Sequence, residues 1–174
     1  LDTYSATKIA ADYAARSYAH NYGLAVSIVR NTNCYGPFDQ HHDHIIPGTM
    51  LAIAKGGYPR IHGTGKTRKA YLHALDVAEA YLAIGRWQLE HPEQKGEVFN
   101  VSTNSVSVYE LVKSIMAVAG MNHVEPIIEG NPNDQHDEHL DWTKVRAWTG
   151  WIPMISLPVG LGDTWRWFKN LPTA

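Results

Sequence analysis

Two short, almost continuous apolar segments limit the folds open to this chain. They are residues 25–29 (Ala-Val-Ser-Ile-Val) and 98–101 (Val-Phe-Asn-Val), and both are too short for a buried helix. Such runs are typical of parallel strands covered on both faces. Elsewhere the apolar residues recur at helical spacing, so strands alternate with helices and the class is α/β. Because two strands do not make a covered sheet, we expect further strands, either unrecognised here or contributed by a segment outside these residues.

Glycines and capping residues predict where the helices begin and end. The predicted helices are 5–22, about 46–55, 76–90, 108–119, 143–149 and one from about 157, with two short strands around a Gly63-Thr64-Gly65 turn within 58–73. Asp76 with Glu79, and Ser107 with Glu110, have the spacing of capping boxes. Residues 31–43 show no periodicity, so we predict a loop there.

Composition excludes several classes of function. The 174 residues are 44% hydrophobic and 18% charged, and the formal net charge is −2, which argues against a disordered tail, a membrane protein or a nucleic-acid-binding surface. Cys34 is the one cysteine, so an internal disulfide and a thiolate zinc cage are excluded, and a reducing cytoplasm is expected. The chain opens on Leu-Asp-Thr-Tyr and enters helical sequence at once, which we expect of a start within a fold.

Tyr4 and Lys8 are four residues apart at the start of the first predicted helix, so their side chains share one face. A phenol with a reference pKa of about 10 is a poor base at neutral pH, but an adjacent ammonium favours the phenolate. Such a pair moves a proton on a sugar or alcohol hydroxyl while a nicotinamide moves the hydride. The spacing alone favours an ordinary surface pair, because Tyr and Lys four residues apart occur by chance in many helices.

A series of motifs, in order along the chain, gives the pair a context. They are Tyr-Ser-Ala-Thr-Lys (4–8), Arg-Asn-Thr-Asn-Cys-Tyr-Gly-Pro (30–37), Ile-Ile-Pro (45–47), Leu-His-Ala-Leu-Asp-Val-Ala-Glu-Ala (72–80), Gly-Glu-Val-Phe-Asn-Val (96–101) and Gly-Trp-Ile-Pro (150–153). Together they resemble the extended short-chain dehydrogenase/reductase family, and within it the nucleotide-sugar epimerases and dehydratases of the dTDP-glucose 4,6-dehydratase type. The resemblance implies the C-terminal part of a doubly wound Rossmann-type sheet (1–35 and 96–102) plus a small α/β substrate-binding lobe (mainly 36–95 and 103–174).

The resemblance also implies roles for individual residues. Tyr4 is the catalytic acid/base and Lys8 is its catalytic partner. Both also contact the cofactor, NAD or NADP: Lys8 orients the nicotinamide ribose, and Cys34 occupies a further position that contacts the nicotinamide. Asn33 contacts the substrate diphosphate, and His62 stands where an aromatic ring meets the nucleotide base. The other positions implied to bind the nucleotide-diphosphate sugar are Arg68, Lys69, Asn100 and His136.

The chain departs from the family where phosphate is recognised. The aligned run is Lys69-Ala70-Tyr71 in place of an Arg-Asp-aromatic run. A lysine cannot form the bidentate hydrogen bonds to phosphate that an arginine forms. Residues 131–136 (Asn-Pro-Asn-Asp-Gln-His) replace two further arginines with residues that carry no permanent charge. We therefore expect a weaker grip on the diphosphate, or a different ligand.

The family's glycine-rich cofactor loop and its catalytic Ser or Thr precede the position of Tyr4, and these residues contain no such loop. We therefore expect the catalytic Tyr/Lys and substrate-binding half of an NAD(P)-dependent nucleotide-sugar dehydratase or epimerase, which neither binds NAD well nor turns over alone. The alternative is a non-catalytic remnant that self-associates or binds sugar nucleotides. An exposed strand edge at 25–29 favours a homo-oligomer or pairing with a missing N-terminal half.

Three side-chain groups allow more than one interpretation. Imidazoles and carboxylates that suit zinc or nickel occur at 41–44 (His-His-Asp-His) and at Asp134, His136, Asp137, Glu138 and His139. Adjacent histidines seldom face one ion, so we predict no metal. Trp148, Trp151, Trp165 and Trp167 are predicted to cover one another in the last helices, the alternative being that one stacks on a sugar. Arg60, Lys66 and Arg68 either face a phosphate or form a solvated basic surface.

Overall fold

The computed structural model describes residues 2–130 and 136–171. Within them the helices are α1 (Thr3–Tyr22), α2 (Ile45–Ala54), α3 (Ala74–Glu90), α4 (Val108–Val118), α5 (Thr143–Thr149) and α6 (Leu157–Phe168). The strands are β1 (Ser27–Asn31), β2 (Asn33–Tyr35), β3 (Arg60–Ile61), β4 (Arg68–Lys69), β5 (Tyr71–His73), β6 (Glu97–Val101), β7 (Val106–Ser107) and β8 (Ile127–Ile128). This alternation confirms the predicted α/β class.

The chain divides into two compact units. Unit 1 comprises Leu1–Thr32, Leu75–Ser102 and Leu140–Ile152, and unit 2 comprises Asn33–Ala74, Thr103–His139 and Pro153–Ala174. The sequence expectation grouped 36–95 mainly with the substrate lobe, whereas the part of that range from Leu75 onward groups with unit 1. The division into Rossmann elements and a substrate-binding lobe stays a prediction.

Unit 1 is organised by the two apolar segments, which pair as parallel strands. The register of β1 and β6 runs from Ser27 opposite Glu97 to Asn31 opposite Val101. Phe99 and Val101 are fully buried, and the Phe99 ring meets Trp87 of α3 edge-on at 5.2 Å. The strand predicted at 25–29 thus begins two residues later, because its pairing with β6 sets its bounds.

Unit 2 is built on a core shared by three helices and short strand pairs. The buried side chains of its main cluster are Tyr35, Ile46, Met50, Tyr71, Leu111, Ile115, Leu161 and Phe168. Strands β2 and β5 pair in parallel, as do β3 and β8, whereas β4 and β7 are antiparallel. These pairs join segments that are more than 30 residues apart in sequence.

The predicted helix ends are confirmed at three places. Gly23 and Gly150 end α1 and α5 in the left-handed conformation, with φ of 68° and 73°. Ser107 and Glu110 form the predicted capping box at the start of α4. The capping prediction for Asp76 is wrong: α3 already begins at Ala74, so Asp76 lies inside its first turn and is 4% exposed.

The loop predicted over 31–43 is wrong in part, because β2 forms within it. A three-residue strand of mixed polarity has no detectable period, and its partner β5 lies more than 30 residues away.

The tryptophans also differ from the prediction, since they fall into two groups. Trp148 packs against Trp87 in unit 1 at 5.1 Å, whereas Trp167 in unit 2 meets Phe38 and Phe168 at 5.4 and 4.7 Å.

Helix α1 leaves a broad face open to solvent. Of its residues only Ala19 is buried, while Tyr13, Tyr18 and Tyr22 are 65%, 57% and 69% exposed. The predicted self-association stays a prediction.

No helix among the described residues has the length and apolar character needed to cross a bilayer.

Candidate active site

The N-terminal turns of α1 carry the predicted catalytic pair. The Asp2 carboxylate caps the helix by accepting hydrogen bonds from the Ser5 backbone N–H (2.7 Å) and the Ser5 hydroxyl (2.8 Å). These bonds hold the pKa of Asp2 below its ordinary value. With the helix start fixed, the Lys8 ammonium lies 5.3 Å from the centre of the Tyr4 ring. Tyr4 is 70% exposed, so its hydroxyl is open to a bound substrate.

In unit 2, one carboxylate joins two of the predicted phosphate contacts. The Asn33 amide, on β2, donates to the Ala70 carbonyl and to Glu138 Oε2, both at 3.1 Å. The Lys69 ammonium, on β4, lies 3.1 Å from the other oxygen, Oε1, of Glu138. The Glu138 backbone N–H donates to the Arg68 carbonyl at 2.9 Å, which fixes this segment beside β4. An anion therefore already sits between the two side chains predicted to meet a diphosphate.

Arg68 is adjacent to Lys69 but has different partners. Its guanidinium donates to the Ser105 carbonyl at 2.7 Å and lies 3.4 Å from Glu110, the capping-box residue of α4. The Ser107 backbone and hydroxyl, followed by Arg68, hold the pKa of Glu110 below its ordinary value. Successive strand residues point to opposite faces, so of the two cations Lys69 is the one that lies with Asn33.

His62 is held by a carboxylate on the edge of the β3–β8 pair. Its Nδ1 lies 2.7 Å from Glu129 Oε2, and Arg60 Nη1 lies 3.2 Å from Glu129 Oε1. These two partners hold the pKa of Glu129 below its ordinary value. The His62 side chain is 82% exposed, which leaves its ring faces open for a nucleotide base.

Cys34 is the central residue of β2, and Asn100 is the last but one residue of β6. Partial burial of the sulfur, with help from the Asp39 carboxylate, raises the pKa of the Cys34 thiol, although the residue as a whole is exposed. The Cys34 sulfur is therefore a neutral thiol near pH 7. The Asn100 amide donates to the Asp141 carbonyl at 3.0 Å, so it holds a turn of unit 1. A substrate contact by Asn100 stays a prediction.

The remaining predicted residues lie near the end of the described ranges. His136 is exposed. Residues 131–135, which include Asp134 and most of the run that departs from the family, lie outside the described residues. Sequence analysis named two candidate groups of metal ligands. In the first, at 41–44, the side chains of His41 and His44 lie close to Asp39 and not to Asp43.

Sequence analysis missed Glu138 as a partner of Asn33 and Lys69, and it missed the cleft beside Tyr71. That cleft has a volume of about 320 Å³ and is lined by Tyr71, Thr103, Asn104, Val106 and residues 153–157. Burial, with a smaller effect of the Glu138 carboxylate, raises the pKa of Tyr71 to about 12. Tyr71 is therefore a hydrogen-bonding phenol at neutral pH and is unsuited to act as a base. The one sequence signal for Tyr71 was its position in the run 69–71, which aligns with the family's Arg-Asp-aromatic run.

A parallel α/β fold with a Tyr/Lys pair on an exposed helix start is the arrangement expected of the short-chain dehydrogenase/reductase class. The chain belongs to the NAD dependent epimerase/dehydratase family, since the sequence pattern of that family matches residues 1–102.

Individual relatives agree with this assignment. The trifunctional UDP-glucose 4,6-dehydratase/UDP-4-keto-6-deoxy-D-glucose 3,5-epimerase/UDP-4-keto-L-rhamnose-reductase of Arabidopsis thaliana is 31% identical, over 97% of this chain and 25% of its own. The dTDP-D-glucose 4,6-dehydratase of Bos taurus is 27% identical, over 96% of this chain and 47% of its own. The chain thus spans between a quarter and about half of the length of these relatives.

Two solved structures share the fold. The dTDP-glucose 4,6-dehydratase of Bacillus anthracis in complex with NAD superposes with a TM-score of 0.84 at 25% identity, covering 99% of this chain and 53% of the other. The UDP-glucose 4-epimerase of Thermotoga maritima with UDP-glucose gives 0.79 at 27% identity, covering 93% and 52%. The Rossmann-type fold predicted from the sequence is confirmed by these likenesses.

Proposed function

We propose that this chain is the substrate-binding and catalytic Tyr/Lys half of an NAD(P)-dependent nucleotide-sugar 4,6-dehydratase or epimerase. The observation that carries the proposal is the exposed Tyr4 ring with the Lys8 ammonium 5.3 Å from its centre, in a chain that belongs to the epimerase/dehydratase family. The nucleotide sugars named for the relatives, UDP-glucose and dTDP-glucose, define the proposed class of substrate.

In this proposal Tyr4 takes the proton from a sugar hydroxyl and Lys8 stabilises the phenolate that forms. Both side chains are exposed on the first turns of α1, which fits the nicotinamide-ribose end of a dinucleotide. A bound nicotinamide supplies the hydride chemistry. The glycine-rich loop that holds a dinucleotide pyrophosphate does not occur in the 174 residues, so turnover is expected only where such a loop accompanies this chain.

Asn33 and Lys69 are the proposed contacts to the substrate diphosphate. Support comes from their convergence on the two oxygens of the Glu138 carboxylate, an anion with a negative charge and two acceptors like a phosphate edge. A nucleotide diphosphate binding at these donors displaces Glu138. The same side chain then lies close to the phosphates and repels them, so Glu138 opposes binding in two ways.

A sugar-nucleotide-binding protein without turnover is the alternative proposal, since the proposed diphosphate contacts Asn33 and Lys69 need no nicotinamide in order to bind. Binding and turnover measured on the same preparation separate the two proposals. A protein that carries this chain with a glycine-rich half and converts UDP-glucose or dTDP-glucose is the enzyme, and one that binds the sugar without converting it is the alternative.

We predict that Glu138→Gln tightens the binding of UDP by about fivefold. The Glu138 side chain is 48% exposed and Lys69 is 15% exposed, so the pair lost is a largely screened one, worth up to about 1 kcal/mol, which corresponds to that factor. Isothermal titration of UDP into the wild-type and variant proteins gives the comparison.

Glu125→Gln is the matched control, because Glu125 also forms an exposed ion pair with a lysine (Lys113, 2.9 Å) and takes no part in the proposed phosphate site. Its UDP affinity should equal that of the wild type. Asn33→Ala should weaken UDP binding. Unchanged affinity in both Glu138→Gln and Asn33→Ala would remove this part of unit 2 from the phosphate site.

A further inference from the structure

The loop between β2 and α2 gathers one carboxylate and two imidazoles. Asp39 Oδ1 lies 3.5 Å from His41 Nδ1, and Asp39 Oδ2 lies 3.3 Å from His44 Nδ1. All three ligand atoms lie within 4.8 Å of one another, and this trio is the one such group among residues 2–130 and 136–171. The intervening His42 takes no part in it, so the grouping arises from the fold of the loop and not from histidine content alone.

The spacing of these atoms is that of ligands around a small divalent ion. In a tetrahedral zinc site with bonds of 2.0–2.1 Å, neighbouring ligand atoms stand about 3.3 Å apart. The two carboxylate-to-imidazole distances are close to this value, one to each oxygen of the Asp39 carboxylate. Because one ligand atom from each residue lies within 4.8 Å of the others, a single ion can reach all three side chains.

The loop is held in this shape by its own backbone. The His41 N–H donates to Asp39 Oδ1 at 2.9 Å, and the His44 N–H donates to the His41 carbonyl at 2.9 Å. The preceding residue, Phe38, has a φ of 70°, unusual for a residue with a side chain, and its ring packs 5.4 Å from Trp167. These contacts fix the direction of the Asp39 side chain.

The two imidazole rings of the trio lie face to face. The His41 and His44 rings stack with centres 5.1 Å apart and an interplanar angle of 17°. Their side chains are 80% and 61% exposed, so a single carboxylate gains little by pairing with them in water. A divalent ion uses all three groups at once.

We propose that Asp39, His41 and His44 bind a zinc ion. Imidazole nitrogen with one carboxylate oxygen suits Zn²⁺, with Ni²⁺ and Cu²⁺ as competitors, and is a poor set for Ca²⁺ or Mg²⁺, which prefer oxygen ligands. Three protein ligands leave a fourth position to water or to another small ligand. The bound ion ties together the loop between β2 and α2.

Titration of ZnCl₂ into the metal-free protein tests this site, with affinity read by calorimetry and stability by thermal melting. The wild type should bind one Zn²⁺ at this site, and Asp39→Asn, His41→Ala and His44→Ala should each weaken binding at least tenfold. Zinc should raise the melting temperature of the wild type and leave that of the three variants nearly unchanged. The two histidines are exposed, so the metal-free His41→Ala and His44→Ala variants should melt close to the metal-free wild type.

His42→Ala is the matched control, since it removes an exposed histidine of the same loop that lies outside the trio. It should bind zinc within about twofold of the wild type. A wild type that binds no zinc, equal binding in all variants, or a His42→Ala variant that loses as much affinity as His44→Ala would each overturn the proposal. None of these readouts depends on the proposed enzymatic function.

Discussion

Replacing Tyr4 by Phe, in a protein that carries this chain together with a glycine-rich nucleotide-binding half, should lower the turnover of a nucleotide sugar by 10²–10⁴-fold, the range that general acid–base groups typically contribute. The substitution removes only the hydroxyl that exchanges the proton. The ring stays beside Lys8, where its centre is 5.3 Å from the ammonium, so the helix start and the cation–π contact persist. The dissociation constant for the nucleotide sugar should therefore stay within about twofold.

Chromatographic detection of product over time gives the rate, and calorimetry gives the affinity. Tyr13→Phe is the matched control, because Tyr13 lies on the same helix and is 65% exposed against 70% for Tyr4. It should retain the wild-type rate. Full activity in Tyr4→Phe would remove Tyr4 from the mechanism, and an equal loss in Tyr13→Phe would show that α1 responds to the loss of any tyrosine hydroxyl.

Local sequence signals predicted the helices of this fold well and its short strands poorly. The capping box of Ser107 and Glu110 and the glycines at 23 and 150 mark helix ends by hydrogen bonds or dihedral angles that involve only neighbouring residues. Asp76 had the same spacing but failed as a cap, because β5 runs directly into α3 and the helix starts two residues earlier. Where a strand abuts a helix, pairing with a distant segment decides the boundary.

In the candidate site, too, contacts between residues close in sequence were predictable and contacts between distant residues were not. Tyr4 and Lys8 are four residues apart on one helix, so helical periodicity was enough to bring them together. The link between Asn33 and Glu138 spans 105 residues, and no local pattern reports a contact of that separation. Family resemblance named Asn33 and Lys69 by position, but the carboxylate that joins them, Glu138, comes just after residues 131–136, where the chain departs from the family. Resemblance gives little guidance at such a departure.

The predicted metal-free character of the histidine-rich loop rested on the rule that adjacent histidines seldom face one ion. That rule holds for His41 and His42. It does not cover His41 and His44, which the turn of the loop places on either side of Asp39. Asp39 was absent from the sequence prediction because the loop had no assigned conformation. The spacing of a ligand set in sequence is informative only where the backbone between the ligands is known.

The second large effect concerns stability. Gly160 is buried on α6, and a β-carbon there would overlap the Tyr35 hydroxyl oxygen and come within 2.9 Å of His73 Cδ2. Both neighbours are 3% exposed, and their rings meet edge-on at 5.4 Å, so neither has room to withdraw. Overpacking of this kind costs roughly 1–3 kcal/mol, which outweighs the gain of up to about 1 kcal/mol from replacing glycine by alanine in a helix. Gly160→Ala should lower the melting temperature by about 5 °C.

Gly162→Ala, on the same helix, isolates the packing effect from helix propensity. A β-carbon at Gly162 would meet no atom within 4 Å, so this variant keeps the propensity gain without the clash and should melt a few degrees above the wild type. Thermal unfolding followed by circular dichroism measures both variants, and the prediction is a difference in sign between two identical substitutions two residues apart. If both variants raise the melting temperature, α6 does not lie as close to Tyr35 and His73 as the structure indicates. If both lower it, α6 requires glycine for a reason other than the clash.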